Sequence, residues 1–152
     1  MTFTDNKKKQ PRRYGREWAL QFFTQLDVTK EAFSEDEREL FWEQIEISSF
    51  LPKKQTKENG MKFANELITG YVNNRQIIDE SLAKLTKNWK FERLGTIDRS
   101  ILRLAAFELT NTEVPAPVII NEAIELAKVY GEKESPAFVN GVLDKLNQIT
   151  QS

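Results

Sequence analysis

The sequence predicts an all-α protein, a bundle of seven helices. Apolar residues recur three and four positions apart along nearly every segment between residues 12 and 149. No stretch keeps the strict alternation of a half-buried strand, and proline or capping residues separate the apolar runs at helix-length intervals. With 152 residues, 39% hydrophobic and 30% charged, the chain suits one globular domain, which buries roughly 70% of its unfolded surface. No period suggests solenoid repeats.

Residues 1–10 are polar and Lys-rich and read as a flexible basic arm. The helical pattern starts at Pro11 or Arg12, with Trp18, Ala19, Phe22, Phe23 and Leu26 on one face and Arg13, Glu17, Gln21 and Thr24 on the other. This helix should end near Asp27 or Val28. Ser34 followed three residues later by Glu37 is a capping-box signature, and Glu35 and Asp36 suit the positive end of a helix dipole. Leu40, Phe41, Ile45 and Ile47 carry the second helix until Pro52 forbids continuation.

Residues 52–58 read as a Lys-rich linker with Thr56 as the next N-cap. Met61, Ala64, Leu67, Ile68 and Tyr71 then mark a third helix. Asn73 and Asn74 interrupt it, and Ile77, Ile78, Leu82 and Leu85 carry a fourth to about Asn88. Thr96 is expected to cap the fifth, along which Ile97, Ile101, Leu104, Ala105 and Glu108 mark successive turns.

Pro115 and Pro117 stop that helix and start a sixth, with Ile120, Ala123, Ile124 and Ala127 inside and Gly131 expected as its left-handed terminator. Ser135-Pro136 predicts an N-cap with proline at the first helical position. Phe138, Val142, Leu146 and Ile149 then form the seventh helix. Gly141, inside that run, is expected to let a neighbouring helix approach closely.

Composition narrows the function. With no cysteine and no histidine, the chain has no disulfide, no thiolate chemistry, no His general base and neither thiolate nor imidazole ligands for zinc. The six glycines form no phosphate-cradling loop. Glu122 and Glu125 flank one helical turn as in di-metal carboxylate helices, but without histidine they read as a solvated face. No enzyme activity, catalytic residue, cofactor or metal is expected. No window approaches the run of about 18 apolar residues that a membrane span needs, and residues 18–23 are too short for a signal peptide. A cytoplasmic location is expected.

The charge distribution is the positive signal. Six of the 22 basic residues fall in the first 16 positions, all within KKKQPRRYGR (residues 7–16), and only Asp5 offsets them, so residues 1–16 carry +5 while the remaining chain carries −6. A basic arm on an acidic body points to a polyanion, most simply nucleic acid. Lys7, Lys8, Lys9, Arg12, Arg13 and Arg16 are the phosphate-binding candidates, and Tyr14 could stack on unpaired bases. Trp18 lies on the apolar face and reads as core. A second basic-aromatic cluster holds Lys84, Lys87, Trp89, Lys90, Phe91 and Arg93, where core anchoring of the two rings is favoured over base stacking. Arg99 and Arg103, one turn apart, either present paired guanidiniums or leave Arg103 in a surface pair with Asp98 or Glu108.

Three segments carry a family resemblance. VPAPVIINEAIELAKVYGEKESPAFVNGVLDKL (residues 114–146), LGTIDRSILRLAAFEL (94–109) and RRYGREWALQFFTQLD (12–27) resemble, in that order, the transcription antitermination factor NusB family. Together they cover about half the chain; residues 28–90 match only in helical character and length. The resemblance implies two stacked helical subdomains, residues 11–75 and 76–150, within one NusB-like domain. It implies non-catalytic binding, with the ribosomal protein NusE, of boxA-type single-stranded RNA in nascent ribosomal RNA transcripts, as part of an RNA polymerase antitermination complex. The alternative is a helical RNA-targeting or protein-interaction module acting in ribosome assembly. A homodimer stays open, since the bundle could bury its arm against a second copy.

Carried over by position, the implied RNA contacts are Arg12, Arg13 and Arg16, then Asp98 and Arg103, then Phe138 with Glu134 beside it. Arginines hold phosphates, a carboxylate accepts from base amino groups, and an exposed ring stacks on a splayed base. Phe138 also has a plain core reading within FVNGVL. The chain departs from the family at Tyr14, where another basic residue is usual, at Gly15, where alanine is usual, and at Thr24, where the family commonly has an RNA-contacting tyrosine. Glycine costs a helix about 1 kcal/mol relative to alanine, so Gly15 is expected to loosen the arm.

Overall fold

In a computed structural model the described residues are 10–30, 32–48, 51–87 and 91–151, with the side chains of residues 10 and 92 excepted. They form seven α-helices: α1 (Gln10–Thr29), α2 (Glu35–Ile47), α3 (Lys54–Asn73), α4 (Arg75–Leu85), α5 (Thr96–Asn111), α6 (Ala116–Tyr130) and α7 (Ser135–Gln151), plus one 3-10 turn at Phe91–Arg93. The all-α class is as predicted. Lys7–Lys9, Asn88, Trp89 and Lys90 lie outside the described residues, and among the described ones α4 ends at Leu85. The helices form two compact units, residues 1–68 and 69–152, with the division inside α3.

In the first unit α1 buries Trp18, Ala19, Phe22, Phe23 and Leu26, the face its spacing predicted. Edge-on aromatic contacts join it to α2: Phe22 lies 5.3 Å from Phe41 and Trp18 5.7 Å from Trp42. Trp42 Nε1 donates to Asn65 Oδ1 of α3 at 3.0 Å, so the half-buried indole keeps its hydrogen bond. Ser34 caps α2 as expected, its Oγ accepting from the Glu37 N–H at 3.2 Å. One helix start differs. The helix α3 starts at Lys54, so Thr56 lies within it rather than capping it. The residue in the left-handed region after α1 is Lys30 (φ 56°), whose N–H donates to the Leu26 carbonyl at 2.9 Å.

The crossing of α1 and α3 depends on two facing glycines. A Cβ on Gly15 would stand 2.8 Å from the Gly60 carbonyl oxygen and 2.8 Å from Phe63 Cδ2. One on Gly60 would stand 2.9 Å from Trp18 Cζ3. Gly15 is buried here, and its missing side chain admits a neighbouring helix.

In the second unit α5, α6 and α7 pack on one another, and α4 packs on α5 and α7. The centre is α5, every residue of which from Ser100 to Glu108 is buried. Four expectations are corrected here. Thr96 is the first residue of α5, and the extended Gly95 precedes it without a side-chain cap. Gly131 is extended (φ −92°, ψ −172°), not left-handed. Its lack of a side chain serves packing, since a Cβ would stand 2.7 Å from Ser135 Cβ. Ser135 opens α7 from inside, and its Oγ accepts from the Glu132 N–H at 2.9 Å, so the hydroxyl fixes the entering turn rather than capping the helix. Gly141 is exposed, and no described residue lies within 4 Å of where its Cβ would be, so no helix among the described residues approaches there.

Candidate nucleic-acid interface

The arginines of α1 take different environments because they lie at different helical angles. Residues 12 and 16 are one turn apart and share a face, while residue 13 is rotated by about 100° from residue 12. Arg12 is exposed and Arg13 half-buried. Arg16 is only 3% exposed, an environment the charge count concealed. The guanidiniums of Arg12 and Arg16 lie 5.3 Å and 5.1 Å from the centroid of the same ring, Phe63 of α3. Cation–π attraction of this kind holds both side chains against the ring.

Around that ring is an open cleft of about 320 Å³, lined by Pro11, Arg12, Asn59, Lys62, Phe63 and Glu66. Lys62 and Phe63 line this cleft, and sequence reasoning singled out neither. Their signal was present, a basic-aromatic pair beside the apolar stripe of the third helix. Tyr14 is half-buried, 5.5 Å from Trp18, which is itself core as the apolar spacing indicated. The Thr24 hydroxyl donates to the Leu20 carbonyl of its own helix at 2.8 Å.

In the second unit Asp98 stands half-buried in the first turn of α5, where a carboxylate is favoured by the helix dipole. Five residues on, Arg103 is 8% exposed. Its Nε donates to Asp79 Oδ1 at 3.0 Å and its Nη2 to Asp79 Oδ2 at 3.3 Å. The Tyr71 hydroxyl donates to the same carboxylate at 3.1 Å, and the Phe91 ring centroid lies 5.2 Å from the Arg103 guanidinium carbon. Burial pushes the Tyr71 phenol above its ordinary value; Arg103 pulls it down and Asp79 pushes it further up.

Arg99 is engaged separately, through the Leu94 carbonyl and Thr96 Oγ1. The paired guanidiniums considered for Arg99 and Arg103 are therefore not presented together. One partner of Arg103 is Asp79, 24 residues away in sequence and on another helix.

Glu134 is exposed just before α7, and Phe138 is half-buried one turn into the helix. The Phe138 N–H donates to the Glu134 carbonyl at 3.1 Å, closing the first turn of α7. Of the second basic-aromatic cluster, Phe91 is buried while Lys84, Lys87 and Arg93 are exposed. On α6, Glu125 pairs with Lys128 at 3.3 Å on the exposed face. No group of acidic side chains among the described residues could hold a metal ion. No helix among them is long and apolar enough to cross a membrane.

These features define a seven-helix protein whose first helix sets arginines beside an aromatic cleft. A family model described as the NusB family matches residues 13–148, and the chain belongs to that family. It is 44% identical over 131 residues to the transcription antitermination protein NusB of Anaeromyxobacter dehalogenans, covering 86% of each chain. To NusB of Desulfitobacterium hafniense it is 41% identical over 136 residues, covering 89% of this chain and 86% of the relative. Among solved structures, T. maritima NusB superposes with a TM-score of 0.71 at 31% identity, with 90% of each chain covered. A complex of the antitermination factors NusB and NusE with dsRNA gives 0.74 at 26% identity, covering 91% of this chain and 97% of the other.

Proposed function

We propose that this chain is a non-catalytic transcription antitermination factor. With NusE it binds boxA-type single-stranded RNA of nascent ribosomal RNA transcripts, within a polymerase complex in the cytoplasm. The observation that carries this reading is the family match across residues 13–148. It is supported by the arginine-bearing α1 and by relatives named as antitermination proteins.

The RNA-contacting side chains in this reading are Arg12 and Arg13, Asp98, and Glu134 with Phe138. Arginine forks neutralise phosphates, the carboxylates accept from base amino groups, and Phe138 offers an aromatic edge or face to an unpaired base. Arg16 and Arg103, expected from sequence as direct contacts, are buried and act from beneath. Arg16 steadies Phe63, and Arg103 ties α5 to Asp79 of α4.

The test is readthrough in transcription reconstituted with polymerase, the remaining antitermination factors, NusE and this chain. A template carrying boxA before a terminator should show increased readthrough when the chain is added, and a scrambled boxA should abolish the increase. No increase on the boxA template would refute the assignment.

A further inference from the structure

We infer that the cleft between α1 and α3, floored by Phe63, is a binding subsite for one unpaired nucleobase and its adjoining phosphate. The inference rests on the RNA-binding reading above and extends that surface onto α3, from which no contact was anticipated.

The subsite is built in layers. Gly15 lacks a side chain, and a Cβ there would lie 2.8 Å from Phe63 Cδ2 and 3.2 Å from Phe63 Cβ. The ring can therefore lie directly against the α1 backbone. Arg16, almost fully buried, holds its guanidinium 5.1 Å from the ring centroid. Arg12 holds its own at 5.3 Å but is exposed and lines the cleft. A guanidinium stacked on an aromatic ring is itself a flat, cationic platform, and unpaired bases stack on guanidinium planes as well as on aromatic side chains.

The rim has suitable chemistry. Asn59, Lys62, Phe63 and Glu66 recur three or four residues apart and so share one face of α3. Lys62 is exposed and can meet the phosphate as a point charge. Gln55 donates to Asn59 Oδ1 at 3.2 Å, which directs the Asn59 amide so that its NH2 is the end left to donate. Glu66, exposed, can accept from a base amino group. At about 320 Å³ the cleft is at the small end of ligand clefts (roughly 300–1,000 Å³), suited to one nucleotide rather than a helix or a folded partner.

The test measures fluorescence anisotropy of a labelled boxA-type RNA with NusE present, across a salt series, for the full chain and for Phe63→Leu and Lys62→Ala. Phe63→Leu keeps an apolar side chain and every charge. It should weaken binding by about tenfold at unchanged salt slope, as loss of one stacked base does. Lys62→Ala, at an exposed position, should reduce the log–log salt slope by about 0.7, the loss of one phosphate contact to a single strand. Should Phe63→Leu fail to fold by circular dichroism, Lys62→Ala decides the matter alone. Wild-type binding with both folded variants indistinguishable from it would overturn the subsite and leave the RNA-binding reading intact. No RNA binding by the wild-type chain would overturn both.

Discussion

Arg103 of α5 and Asp79 of α4 form a two-point ion pair, Nε to Oδ1 at 3.0 Å and Nη2 to Oδ2 at 3.3 Å, and the Tyr71 hydroxyl donates to the same carboxylate. The arginine is almost fully buried and the Asp79 side chain is 27% exposed. Removing the carboxylate takes a bidentate ion partner from a desolvated guanidinium, a costlier event than losing a surface pair. Asp79→Ala is expected to lower unfolding free energy by about 1–3 kcal/mol in urea titrations. Arg103→Lys should fail to preserve stability, because an ammonium cannot span both oxygens. Wild-type stability in both variants would show that the pair contributes nothing.

Tyr71 links the same cluster to alkaline pH. Its folded-state pKa lies above the ordinary tyrosine value because burial disfavours the phenolate. The unfolded chain therefore releases this proton first, at about pH 10, and stability is complete below that pH. Above it stability falls, by up to about 1.4 kcal/mol per pH unit for this one group, until the folded-state value is passed. Tyr71→Phe should be the less pH-sensitive protein between pH 10 and 11 when the two are compared by thermal melting. Parallel profiles would contradict the role given to Tyr71.

Two glycines separate helix propensity from packing. Gly141→Ala falls on an exposed face of α7 with open space around the new methyl, and should stabilise by about 0.5–1 kcal/mol. Gly15→Ala carries the same propensity gain but drives a methyl into the Gly60 carbonyl and Phe63. A net loss of about 1–3 kcal/mol is expected. Opposite shifts in melting temperature would confirm the contrast, and shifts of the same sign would refute it.

The helices were legible because each carries its own apolar period. Trp18, Phe22 and Leu26, or Val142 and Leu146, need no knowledge of their partners to declare an inward face. Boundaries at Thr96 and Ser135 came within one residue, since capping residues mark a helix start only to that precision. What failed depended on non-local geometry. Gly15 and Gly141 look alike in sequence, and only the helix facing each tells packing from open space. Arg16 and Arg103 count as surface residues by composition, yet each occupies a buried turn of an apolar stripe. Arginine tolerates that placement where a ring or a carboxylate receives it, and neither Phe63 nor Asp79 is near in sequence. Phe63 went unnoticed for the reverse reason. It lies beside the core stripe of α3, and its function depends on arginines from α1.

The most direct test of the central claim is the affinity for boxA-type RNA, with NusE present, of the wild-type chain and an Arg12→Gln/Arg13→Gln double variant across a salt series. Neither arginine is in the buried core, so the variant should keep its fold by circular dichroism. The wild-type chain should prefer boxA-type over scrambled RNA, and the variant's log–log salt slope should be shallower by about 1.4, two single-strand phosphate contacts. Equal affinity for boxA and scrambled RNA, with a slope unchanged by the substitutions, would contradict the account.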